Sequence, residues 1–135
     1  MRRSDLTICL ITDEVSPSLD QGPAFAREEG IGAVDLRLID GRNVLVLSRG
    51  ELADAARRVR AAGLSVSCIC TPLLKWSPPG KTAQTQGDQF GFELSDRTPR
   101  DIYAEAFAAA EILGARNLRV FSYPSRFRSR SCNEK

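Results

Sequence analysis

Four short runs of apolar and β-branched residues, at 6–12, 33–39, 64–70 and 117–121, alternate along the chain with three segments of helical period. The second helical segment is the clearest. Ser48 with Glu51 three residues on makes a capping box, Leu52, Ala56 and Val59 form one apolar stripe, and Gly63 supplies a left-handed stop. In the third, Thr98 caps and Pro99 takes the first helical position; Ile102, Ala106, Ala109 and Leu113 follow at 4-3-4 spacing before Gly114. The first ends at Gly30, but Gly22 and Pro23 sit where its first turns belong, so it starts at Pro23 or is kinked there. Each helix leads into a strand within a few residues. That is the grammar of a parallel sheet with right-handed crossovers, read as β-α-β-α-β-loop-α-β.

Two architectures share this grammar, the doubly wound open sheet and the (β/α)8 (TIM) barrel. In the first, helices cover both faces and strands are apolar throughout. Here the second strand alternates, with Val34, Leu36 and Leu38 on one face and Ala33, Asp35 and Arg37 on the other. The fourth sets Leu118 and Val120 against Asn117, Arg119 and Phe121. Charges on one face of a parallel sheet are costly unless they pair or meet a polar cavity, and the mouth of a barrel provides such a cavity. A complete barrel needs eight strands and at least about 200 residues. The expected fold is therefore α/β, a four-stranded parallel partial barrel over residues 1–123.

Composition is that of an ordinary globular domain, with 42% hydrophobic and 27% charged residues, which excludes a fibrous or wholly disordered chain. The apolar run near the start is too short to span a bilayer or to form a signal-peptide core, so a cytoplasmic protein with no membrane partner is expected. The net charge of +2 comes from the tail, where Arg126, Arg128, Arg130 and Lys135 face only Glu134. The body is near neutral, and no nucleic-acid partner is expected. Residues 124–135 have no apolar period and are expected to be disordered, a terminus of the kind left by truncation or a change of reading frame. Cys9, Cys68 and Cys70 lie in strand-like runs and read as buried thiols. The last two share a strand face at about 6.6 Å between α-carbons, the edge of disulfide reach.

Candidate chemistry collects after the strands. Glu14 beside Asp13, Arg37 and Asn43 follow the first two, and Lys75 and Trp76 open a long Gly/Pro-rich connection over 71–98. An ammonium and an indole together suit an anionic, sugar-like ligand. Asp13 and Glu14, as neighbours in a strand, would point to opposite faces, so at most one looks into a site. Gly80-Lys81-Thr82 is no phosphate loop, because Lys75 stands where its first glycine belongs and Pro78-Pro79 removes donors. No Gly-x-Gly-x-x-Gly follows the first strand, and the chain has no histidine, which rules out a Ser-His-Asp arrangement within it.

Several stretches resemble a known family. They are Ile11-Thr12-Asp13-Glu14-Val15-Ser16, Val34-Asp35-Leu36-Arg37, and Gly41-Arg42-Asn43-Val44 leading to Leu47-Ser48. Val66-Ser67-Cys68-Ile69-Cys70-Thr71-Pro72-Leu73 with Lys75, and Leu113-Gly114-Ala115-Arg116 before Arg119-Val120-Phe121-Ser122, complete the set. In this order they resemble the N-terminal half of sugar phosphate isomerases/epimerases of the xylose-isomerase-like barrel superfamily, over about residues 8–123. The resemblance implies interconversion of sugars or sugar phosphates by metal-assisted proton transfer. The divalent metal is held by later strands, so no cofactor is assigned to this chain, which alone is expected to be inactive. It also implies Glu14, Asp35, Arg37, Asn43 and Lys75 as contacts to a small carbohydrate-like substrate. Asp35 stands where many relatives carry glutamate, and Gly22-Pro23 departs from an uninterrupted first helix. An open half-barrel exposes two strand edges, and self-association through them is expected. The competing expectation is a complete, non-catalytic α/β module that binds a ligand or protein through the 71–98 loop.

Overall fold

The three helices end where local chemistry ends them. In a computed structural model, which describes residues 6–77, 90–94 and 97–122, α1 is Gln21–Glu28, α2 Arg49–Ala61 and α3 Pro99–Leu113. Ser48 and Glu51 close a reciprocal capping box on α2, and Thr98 with Asp101 does the same for α3, which Gly114 terminates at φ 71°. Helix α1 starts at Gln21, two residues before Pro23, which is one of the two starts expected from sequence. Gly22 and Pro23 fall in its first turn, where a missing N–H costs no intrahelical bond.

The strands are β1 (Cys9–Ile11), β2 (Ala33–Leu36), β3 (Leu38–Ile39), β4 (Arg42–Asn43), β5 (Ser65–Cys70) and β6 (Asn117–Arg119). Four of them form one all-parallel sheet in the order β1-β2-β5-β6. The second run expected from sequence is not one strand. It breaks at Arg37, and β3 folds back antiparallel on β4 through Asp40 and Gly41, both at positive φ. This Asp-Gly hairpin is an addition to the expected element order.

Strands in chain order with crossovers of one hand place every helix on one face of the sheet. Buried residues of α1, α2 and α3 accordingly join Val34 and Leu36 of β2 and Val66 and Ile69 of β5 in a single core. Leu36, Val59, Ile69 and Ile102 are fully shielded there, each worth about 1.5–3 kcal/mol relative to exposure. Among the described residues no helix is long and apolar enough to cross a membrane. Residues 124–135 lie outside the described residues.

The opposite face is bare of helices among the described residues. A β-bulge fixes what it carries. Val34 pairs with Val66 but Asp35 with Cys68, so Ser67 is the extra residue. The shift keeps Ile69 in the core and turns Cys68 and Cys70 to the bare face, opposite Asn117 and Arg119 of β6. Unshifted alternation after Val66 would have reversed that.

Candidate ligand-binding site

The C-terminal ends of β1 and β2 meet in an ion pair. Strand β1 stops at Ile11, and Thr12–Glu14 forms a single 3-10 turn. The rule of opposite faces for strand neighbours therefore does not apply, and Asp13 and Glu14 both reach Arg37. Asp13 Oδ2 accepts from Arg37 Nε at 2.8 Å, and Glu14 Oε1 accepts from Nη2 at 2.6 Å. Asp13 Oδ1 also accepts the Leu38 N–H at 3.3 Å. Burial opposes the Arg37 charge, and the two carboxylates more than restore it, so its pKa lies above the ordinary value.

From Arg37 a row of cations and rings crosses the mouth of the sheet. The Arg37 guanidinium lies 4.3 Å from the centre of the Phe90 ring, and Lys75 Nζ lies 5.2 Å from that ring and 5.4 Å from Phe121. Arg119 completes the row, 4.9 Å from Phe121. Phe121 is held in place by its N–H donating to the Leu73 carbonyl at 2.8 Å. The Thr71 hydroxyl donates to the Arg119 carbonyl at 2.6 Å.

Deeper on the bare face lie two polar atoms with no hydrogen-bond partner, Asp35 Oδ1 and Arg119 Nε. Burial pushes the Asp35 carboxyl above its ordinary pKa, against the Cys68 backbone N–H, the Ser67 hydroxyl and the Arg119 charge. Burial likewise pushes the Cys68 thiol up and the Cys70 thiol up to about 11. Cys9, Cys68 and Cys70 are free thiols. A ligand hydroxyl, which donates and accepts at once, matches an unfilled acceptor and an unfilled donor together.

Of the residues expected from sequence, the structure brings Glu14, Arg37 and Lys75 together at the mouth and sets Asp35 below them. Asn43 stands elsewhere, in the β3–β4 hairpin, buried, with its Oδ1 accepting the Leu45 N–H as a cap. Trp76 is no ligand platform: it is buried in the core and stacked on Phe92 with ring centres 6.4 Å apart. Lys81 lies outside the described residues. Sequence reasoning missed Phe90, a lone ring in a stretch with no period to mark it, and missed that Asp13 and Glu14 act together. A cavity of about 740 Å³ lies away from this chemistry, between the start of α2 and the flank of α3. Its Arg42 and Arg97 are already paired with Glu51 and Glu105.

Among the described residues no group of three or more His, Cys, Asp or Glu side chains can hold a metal ion. The described residues by themselves do not fit the divalent metal that the resemblance implies. The described residues define a four-stranded parallel α/β sheet with one helix-covered face and one polar face. Comparison of the chain with protein-family models, curated proteins and solved structures finds no match in any of the three.

Proposed function

We propose that this chain is one half of a (β/α)8 barrel of sugar phosphate isomerase/epimerase type, and that its part is to bind the substrate. The observation that carries this reading is the sheet itself. Its strands run in chain order without the reversal that marks a doubly wound sheet, and its bare face carries Asp35 and Arg119 with unfilled hydrogen-bonding atoms. Such a wall suits a polyhydroxylated ligand, whose hydroxyls both donate and accept. The row of Arg37, Lys75 and Arg119 above it suits a phosphate or carboxylate on the same ligand. Proton transfer beside a carbonyl, the reaction of the family resembled, needs groups beyond those gathered here, so the chain alone is expected to bind without turnover.

Titration with fructose 6-phosphate, followed by amide chemical shifts, tests the reading against fructose and inorganic phosphate. The sugar phosphate is expected to bind more tightly than either, moving the signals of Phe90, Phe121 and Cys68. Lys75→Gln is expected to weaken it about tenfold, the scale of one charge-assisted hydrogen bond. A response no larger than that to inorganic phosphate removes the reading. It would favour the second one, a non-catalytic binding module, which has its own support: Arg37, at one end of the row, is already matched by Asp13 and Glu14.

A further inference from the structure

Among the described residues neither edge of the sheet is paired, and most of the exposed large apolar side chains gather beside the two edges. Seven large apolar side chains are exposed among the described residues, and five flank the two edges: Leu6, Ile8 and Phe25 beside β1, and Phe107 and Val120 beside β6. Helical geometry shows why the two phenylalanines belong there. At about 100° per residue, the flank of α3 that carries Ala104, Glu105 and Ala108 faces α2, and Phe107, 68% exposed, lies on the other flank. On α1, Asp20 reaches Arg58 of α2, and Phe25, 40% exposed, lies on the flank away from it. Each ring therefore points past a strand edge that no described strand pairs rather than toward a neighbouring helix.

We infer that two copies of this chain join head to tail, the β6 edge of each pairing in parallel with the β1 edge of the other, to close an eight-stranded barrel. The two edges are matched strands of three residues, and each offers backbone groups that no described strand takes up. Phe107 and Val120 of one copy meet the Leu6, Ile8 and Phe25 side of the next. Charge is matched as well. Within a copy, β5 alone separates Asp35 on β2 from Arg119 on β6, which lies two residues further along, about 12 Å at ordinary strand spacing and rise. Across the joint, β1 alone separates Arg119 from the partner's Asp35, so each carboxylate gains a second guanidinium one strand away. A heterologous joint makes a ring only if its rotation closes, and four strands are half of the eight whose interior side chains just fill. The inference rests on the half-barrel reading above for its geometry, and on none of its substrate chemistry.

Sedimentation of the full chain over a wide range of concentration tests it. A single dimer is expected. Phe25→Asp and Phe107→Asp are each expected to give monomers with an unchanged far-ultraviolet circular dichroism spectrum. Mixing the two variants is expected to restore a dimer, because one joint then keeps both phenylalanines. A monomeric or open-ended polymeric unaltered chain overturns the inference. So does a Phe25→Asp variant that remains dimeric, which means that like edges pair. The fructose 6-phosphate titration on the same sample keeps the two ideas apart. A dimer that ignores the sugar removes only the isomerase reading, and a monomer that binds it removes only the closed barrel.

Discussion

Two nitrogens of Arg37, Nε and Nη2, converge on one oxygen, Asp13 Oδ2, at 2.8 and 2.7 Å. The pair ties the turn after β1 to the end of β2, and its two members differ from Glu14 in burial. The Asp13 and Arg37 side chains are 3% and 14% exposed, and Glu14 is 60% exposed. Breaking a buried pair from one side leaves an uncompensated charge, which costs about 3–5 kcal/mol, whereas an exposed pair contributes at most about 1 kcal/mol. Arg37→Gln is therefore expected to lower the unfolding free energy measured by urea titration by about 3 kcal/mol, and Glu14→Gln to change it little. Equal losses from the two variants would mean that Glu14, not Asp13, anchors the guanidinium.

Gly22 is required for a different reason. A Cβ there would lie 2.7 Å from Thr12 Cβ and 3.0 Å from the Thr12 backbone, so α1 approaches the turn after β1 too closely for a side chain. Gly22→Ala gains helix propensity and loses the fit. The clash includes backbone, which cannot swing aside, and overpacking of this kind costs about 1–3 kcal/mol. Thermal unfolding is expected to show a net loss, and a stabilised variant would mean that α1 can slide on β1.

The same positions show what the sequence makes legible. Helices α2 and α3 announce themselves through Ser48, Glu51, Thr98, Pro99 and Gly114, whose effects are local and need no partner. Strand β5 is readable to within one residue because its run is apolar and β-branched. What escapes is set by contacts distant in the chain. The bulge at Ser67 is a matter of register between β2 and β5, and Thr12–Glu14 turns helical instead of extending β1, so Arg37 can meet two carboxylates at once. The break after Leu36 carried a local mark, the Asp40-Gly41 pair between short apolar runs. The cation–ring row had none, since Phe90, Lys75 and Phe121 come from three separate stretches.

Cys70 provides a chemical probe of the bare face. Its thiol is pushed up to about 11 by burial, against the opposing pull of Arg119. Thiolate, not thiol, attacks an alkylating agent, so at pH 8 only about one Cys70 in a thousand is reactive at any instant. Mass spectrometry of iodoacetamide-treated native protein is expected to find Cys70 modified far more slowly than in urea, at a rate that climbs about tenfold per pH unit through pH 10. A rate that levels off below pH 9 would show a wetter face than the one described.

Asp35 gives the sharpest test, because the sign of its effect opposes that of an ordinary structural carboxylate. Burial raises its pKa above the ordinary 3.8, so between that value and the higher folded one the native state holds a proton that the unfolded chain has released. Stability then falls as the pH rises through the folded pKa, and at neutral pH the ionised group is a net cost to folding. Asp35→Asn keeps the shape and removes the charge. It is expected to raise stability at pH 7 by about 1 kcal/mol, the scale of an unfilled buried polar group. The gain should shrink as the pH drops and the wild-type carboxyl takes up its proton. Asp40 behaves oppositely: hydrogen bonds from Arg58 and the Leu19 N–H hold its pKa below the ordinary value, and its contribution disappears in acid. That loss is common to both proteins and cancels in the difference between them. A variant less stable than wild type at pH 7 would mean that Arg119 and Ser67 already satisfy the carboxylate. The bare face would then carry a finished structural pair, not an acid kept ready for a ligand.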